Sequence, residues 1–106
     1  MPVYNKRQGW TTMASAQEMV NDIDAHIKKS GISFGGWYVG ISADGKDRLF
    51  NGHSVPQTNH WWIVRAADTS TIARAVEQHF LDLGCKGGPG GGDNTARDVY
   101  AYVITG

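Results

Sequence analysis

Trp37-Tyr38-Val39-Gly40-Ile41-Ser42 is aromatic and β-branched, entered through Gly35-Gly36 and left through Asp44-Gly45. Such a run between glycine turns reads as a strand. Upstream, Ser15-Ala16-Gln17-Glu18 has the form of a capping box, a hydroxyl acceptor followed three residues later by Glu. Behind it Ala16, Met19, Val20, Ile23 and Ile27 recur at helical spacing; Lys28-Lys29 suit a helix C-terminus and Gly31 is the natural stop. Downstream, Asp47 to His53 predicts a short helix before the Pro56 loop, and Trp61-Trp62-Ile63-Val64 a second strand. Asp68-Thr69-Ser70 offers a cap for a helix whose apolar face is Ile72, Val76, Phe80 and Leu83, ending at Gly84. Gly87-Gly88-Pro89-Gly90-Gly91-Gly92 is too glycine-rich for regular structure, and Val99 to Ile104 closes the pattern as a strand.

The order is therefore α-β-α-β-α-β. It predicts a mixed α/β (α+β) class, a small three-stranded sheet covered by helices. One domain over residues 14–106 follows an extended arm at 1–13, whose Met13 could serve as an alternative start. No internal repeat or interdomain linker interrupts it.

Bulk properties agree. A chain of 106 residues, 41% hydrophobic and 19% charged, is globular material with one core. Its single cysteine, Cys85, excludes an intrachain disulfide framework and any multi-cysteine zinc site. No segment approaches the ~18 apolar residues of a membrane span, and the N-terminus lacks an apolar signal core, so a cytoplasmic location is expected. Ten Lys+Arg balance ten Asp+Glu, a net charge of zero. A domain that grips duplex DNA unaided is usually basic. Action on nucleic acid would here rely on a local patch, on single-stranded or melted substrate, or on a protein partner.

The stretch from Tyr38 to His53 carries the chemistry. Arg48 stands ten residues after Tyr38, and His53 five after Arg48. A strand bearing a Tyr-hydrophobic-Gly element, then a short helix with an Arg about ten residues on and a His soon after, resembles the second half of the GIY-YIG nuclease signature. Glu77, inside a helix, resembles the family's metal-binding Glu, and Asn94, after the glycine loop, its late Asn. The resemblance spans roughly residues 37–94. It implies Tyr38, Arg48, His53 and Glu77 as catalytic groups, Glu77 as ligand to Mg²⁺ (or Mn²⁺), and Trp37, Gly40, Lys46 and Asn94 as substrate contacts. One departure stands out. The family opens with a Gly-Ile-Tyr strand paired as a hairpin with the next, and here Gly31-Ile32-Ser33-Phe34-Gly35-Gly36 lies too close to form it. A circular permutation would repair this. The C-terminal strand would take that place in the sheet, with Tyr100 or Tyr102, which share a face, replacing the missing tyrosine.

Such a site is physically sensible. A guanidinium donates parallel hydrogen bonds to phosphate oxygens and never loses its charge. One carboxylate can hold Mg²⁺, which completes its shell with waters and substrate oxygens. Tyr, with an ordinary pKa near 10, needs a cation to act as a base, whereas His begins near neutrality. Each residue also has a plainer use: Tyr38 as packing, Arg48 solvating a turn beside Asp44 and Asp47, His53 as a loop residue, Glu77 as a solvated charge.

Other features point less sharply. The glycine run lacks the Gly-Lys-Ser/Thr ending of a Walker loop, though its amides could nest an anion beside a substrate groove. His26, His53, His60 and His79 lack zinc-site spacing. His60-Trp61-Trp62, with Trp37 and Trp10, could stack exposed bases or simply pack. Two functions follow: a small Mg²⁺-dependent phosphodiesterase of GIY-YIG type, or a noncatalytic inhibitor or adaptor on the same scaffold. Convergence of Tyr38, Arg48, His53 and Glu77 on one surface favours the first.

Overall fold

Ser15 begins the first helix through the reciprocal bonds of a capping box: its Oγ accepts from Glu18 N–H at 3.2 Å, and Glu18 accepts from Ser15 N–H at 3.0 Å. The computed structural model describes residues 15–88 and 94–104; the arm at 1–13, with Trp10, and most of the glycine run lie outside them. Helix α1 (Ala16–Ser30) ends at Gly31, whose φ of 75° places it in the left-handed region. Strand β1 (Trp37–Ser42), the short helix α2 (Gly45–Asp47), strand β2 (Trp62–Ala66), helix α3 (Ser70–Asp82) and strand β3 (Asp98–Val103) follow. The molecule is a mixed α+β fold with a three-stranded antiparallel sheet.

Strand order is β1-β3-β2. The last strand is central, antiparallel to β1 from Trp37↔Val103 to Ser42↔Asp98, and to β2 from Trp62↔Tyr102 to Ala66↔Asp98. Residues 98–103 thus lie beside residues 37–42, the neighbourhood that a permuted arrangement requires.

Alternation divides the sheet into two faces. Trp37, Val39, Ile41, Ile63, Val99 and Ala101 pack with Met19, Ile23 and Ile27 of α1 and Ala73, Val76 and Phe80 of α3. The opposite face carries Tyr38, Gly40, Tyr100, Tyr102, Trp62 and Val64, and is covered by the segment holding Leu49, Phe50 and Val55. Two cross-strand rows order it: Tyr38–Tyr102–Trp62, then Gly40–Tyr100–Val64.

Several expectations shift at their edges. The short helix starts at Gly45 rather than Asp47, because the Asp44 side chain caps it by accepting from Asp47 N–H at 3.1 Å. It then loosens into a π-helical turn, Arg48–Gly52, closed by His53 N–H donating to Arg48 C=O at 2.8 Å. Ser54, at φ 57°, reverses the chain so that Val55 N–H reaches Leu49 C=O at 2.9 Å. Leu83 does not belong to the buried face of α3. It is exposed, and the buried stripe there is Ala73, Val76, Glu77 and Phe80. Trp61 and Trp62 face opposite ways, the first packing towards the helices and the second against Phe50 at 5.0 Å. No helix among the described residues is long and apolar enough to cross a membrane.

Candidate functional site

His53 is placed by the π turn, of which it is the C-terminal cap, and by the left-handed Ser54 that follows. Its imidazole enters the tyrosine-bearing face and is hydrogen-bonded at both nitrogens. Nε2 lies 3.0 Å from the Tyr100 hydroxyl, and Nδ1 lies 3.0 Å from the Tyr102 hydroxyl. Tyr38 completes the group, with ring centroids 4.9 Å from His53 and 5.3 Å, nearly parallel, from Tyr102. Arg48, exposed at the start of the π turn, has its charge near enough to the Tyr100 phenol to oppose the effect of burial on it. A guanidinium has five N–H donors that it can offer to an anion.

Gly40 explains how Tyr100 reaches inward. A Cβ at position 40 would lie 2.4 Å from the Tyr100 hydroxyl oxygen and 2.5 Å from Cζ. The phenol therefore lies across the bare backbone of β1, and is 2% exposed. The resemblance makes Gly40 a substrate contact; its observed part is to leave room for this ring.

Burial decides the electrostatics. It lowers the His53 pKa from its ordinary 6.5, and the Arg48 charge works in the same direction. The imidazole is thus held neutral at neutral pH. Burial pushes the Tyr100 phenol up to about 12, aided by charge on Tyr38 and opposed by Arg48. Tyr102 is also raised, by burial first and then by Tyr38. Tyr100 and Tyr102 are therefore both hydroxyls at pH 7. Two phenols joined through an imidazole, with a guanidinium nearby, can pass a proton and attract an anion.

The remaining candidates lie elsewhere. Glu77, 5% exposed, sits on the buried stripe of α3. Burial raises its pKa against the pull of Arg74 on its own helix. None of its described contacts joins it to His53 or the tyrosines. Trp37 is fully buried beneath the helices, so it is core and not a substrate contact. This is the price of alternation: Trp37 and Tyr38 cannot share a face. Lys46 is exposed on α2. Asn94 lines a depression with Asp68, Thr69, Ser70, Thr95 and Arg97 at the N-terminus of α3, away from His53. A metal is testable only through Glu77. Among the described residues no three His, Cys, Asp or Glu side chains gather closely enough to hold an ion. A carboxyl whose charge burial disfavours is nevertheless one that a divalent cation would stabilise.

Comparison with family models, curated proteins and solved structures gives no significant match. The chain must be read from its own geometry.

Of the glycine run, Gly87 and Gly88 are described. Lys86 bridges to Tyr38 as a parallel edge pair, and Gly88 comes close enough that its Cβ would sit 3.6 Å from the Tyr38 hydroxyl. The anion nest expected of the run 87–92 falls largely on residues 89–92, outside the described residues. On the other flank, His26, Asn59, His60, Trp61 and Trp62 line an open cavity of about 620 Å³. His60 is pinned there by Nε2 donating to Val103 C=O at 2.8 Å. Tyr100 is the member of the cluster that the resemblance alone singles out least; its signal was the shared face of Tyr100 and Tyr102. The left-handed Ser54 has no signal in the sequence.

Proposed function

We propose that this chain is a small phosphodiesterase acting on nucleic acid, with a permuted GIY-YIG-like arrangement. One observation carries the reading: β3 lies beside β1 and brings Tyr102 opposite Tyr38, with His53 between Tyr100 and Tyr102. Arg48 adjoins the same group and is exposed, as a phosphate-binding guanidinium must be. In this reading Arg48 holds a phosphate oxygen, Tyr102 and His53 manage protons, and Tyr38 forms the wall that a substrate meets. Mg²⁺ or Mn²⁺, when bound at Glu77, would supply Lewis acidity to the phosphate. Zero net charge favours single-stranded or locally melted substrate over unaided duplex binding.

A second reading, a noncatalytic inhibitor or adaptor, is favoured by the position of Glu77 on the buried stripe of α3, unjoined to the cluster. One experiment separates the two. Labelled single- and double-stranded DNA and RNA are incubated with the protein and Mg²⁺ or Mn²⁺, beside folded Arg48→Ala, Tyr102→Phe and Glu77→Gln variants. Metal-dependent cleavage lost in Arg48→Ala and Tyr102→Phe is the expected result; Glu77→Gln then reports on the metal. No cleavage of any substrate by folded protein would overturn the enzyme and leave the adaptor.

A further inference from the structure

Where α1 meets the start of the edge strand β2, three parts of the chain close on one cavity. Its lining is His26 from α1, Asn59 and His60 from the loop before β2, and Trp61 and Trp62. Its volume of about 620 Å³ is that of a small-molecule site, for which about 300–1,000 Å³ is usual. The Trp61 indole and the His26 imidazole stand at 71° with centroids 5.3 Å apart, and so form two walls of a corner. A planar ring laid on one wall presents its edge to the other, an arrangement that aromatic rings prefer.

The lining is polar but holds no Asp, Glu, Lys or Arg. A carbonyl only accepts, so the His60 bond to Val103 C=O at 2.8 Å fixes Nε2 as N–H and leaves Nδ1 of the neutral ring as an acceptor. Asn59 adds an amide that both donates and accepts, at an exposed position on a left-handed backbone of φ 57°. His26 Nε2 is buried with no partner. An unpaired buried nitrogen costs stability, and packing alone would be better served there by an apolar ring. Just outside, Lys29 follows His26 by three residues on α1, a spacing that makes neighbours on a helix surface. It is exposed. Whereas Lys28 pairs with Asp24 at 3.0 Å, Lys29 has no ion pair among the described residues.

We propose that this cavity binds the base of an unpaired nucleotide, held in the Trp61–His26 corner and hydrogen-bonded along its edge by Asn59 and His60, with Lys29 meeting the phosphate. A nucleobase is neutral, planar and edged with donors and acceptors. A purely apolar ligand would leave the polar lining unpaired, and a carboxylate or ammonium would find no counter-charge within. Stacking on aromatic side chains accepts any base, but an Asn amide pairs best with adenine. Trp62 also fixes the cavity's place. It lines the cavity and stands directly opposite Tyr102 in the sheet. Residues so opposed have Cβ atoms about 4.5–5.5 Å apart. A single strand with one phosphate beside Tyr102 therefore reaches the cavity with an adjoining base. The inference goes beyond the phosphodiesterase reading and holds equally for a chain that binds without cutting.

The test is a titration of the full chain, nitrogen-15 labelled, with adenosine 5′-monophosphate, adenosine and ribose 5-phosphate, followed by NMR. The Trp61 indole signal is identified by its loss in Trp61→Phe. The monophosphate is expected to shift that signal and the backbone signals of residues 59–62 saturably. Adenosine should shift the same signals with weaker affinity, and ribose 5-phosphate should leave them in place. Asn59→Gly keeps the left-handed backbone and removes the amide; it should weaken the monophosphate about three- to tenfold, the worth of one hydrogen bond. Lys29→Ala should weaken the monophosphate and leave adenosine unchanged. Both substitutions are at exposed positions. No saturable shift at these signals, an equal response to ribose 5-phosphate, or an affinity unchanged in Asn59→Gly would overturn the inference. Binding needs no turnover. A nucleotide bound here beside an absence of cleavage would therefore sink the enzyme reading while the nucleotide site stands.

Discussion

Gly40→Ala tests the central packing claim. The added methyl carbon would sit 2.4 Å from the Tyr100 hydroxyl oxygen, 2.5 Å from Cζ and 3.0 Å from Cε2. None of these is the free end of a flexible chain, because the ring is buried with Leu49 and Val55 and its hydroxyl is bonded to His53. Overpacking of a filled core costs about 1–3 kcal/mol. Displacing the phenol also forfeits its hydrogen bond to His53, worth about 1 kcal/mol. A loss of roughly 2–4 kcal/mol is expected, a large part of the ~5–15 kcal/mol that holds a domain folded. Urea unfolding followed by tryptophan fluorescence measures it. The control is Tyr100→Leu, which keeps a buried apolar side chain but deletes the contacted ring atoms. In that background Gly40→Ala should cost nothing, or gain up to about 0.5–1 kcal/mol from the stiffer strand residue. Equal costs in both backgrounds, or a loss below about 0.5 kcal/mol in wild type, would refute the reasoning.

Burial lowers the pKa of both His26 and His53. Groups held neutral by the fold contribute stability that is complete above the ordinary 6.5 and is lost as pH falls through the lowered folded values. The urea midpoint should therefore drop between pH 7.5 and 5.5, and a flat midpoint would contradict the burial of both rings. Glu77 has the reverse sign: its raised pKa means that stability present below 4.5 is lost as pH rises through the folded value. Glu77→Gln should accordingly raise the melting temperature at pH 7 and gain little at pH 4, whereas destabilisation at pH 7 would mean that the carboxylate has a partner. Ser54→Gly relieves a left-handed non-glycine residue and should stabilise by about 0.5–1 kcal/mol in the same urea assay; a net loss would show that the Ser54 side chain matters more than its backbone.

Much of this fold is legible in local chemistry. The capping box at Ser15 and the spacing of Met19, Ile23 and Ile27 determine α1 without help from the rest of the chain. Trp37–Ser42 is a strand because β-branched and aromatic residues lie between glycine turns. Tertiary effects are less visible. Nothing local distinguishes Leu83, exposed at the end of α3, from Glu77, buried six residues earlier, because sheet position chooses the stripe. Trp37 looked like a neighbour of Tyr38 and was its opposite, since adjacent strand residues share a backbone but not a face. In the site, Tyr38, Arg48 and His53 could be read from spacing along one segment. Their link to Tyr100 and Tyr102, some fifty residues away, came from strand pairing, which sequence spacing does not encode.

The central position of β3 has a consequence for how the molecule comes into being. β1 and β2 do not pair with each other; each finds its hydrogen bonds on β3. During synthesis the two earlier strands must wait, with one edge of each unsatisfied, until residues 98–103 leave the ribosome. Sheet formation is then a late closure between distant parts of the chain, the type of contact that folds slowly. The same event delivers Tyr100 and Tyr102 to His53, so the nascent chain passes from having no site to having all of it in one step.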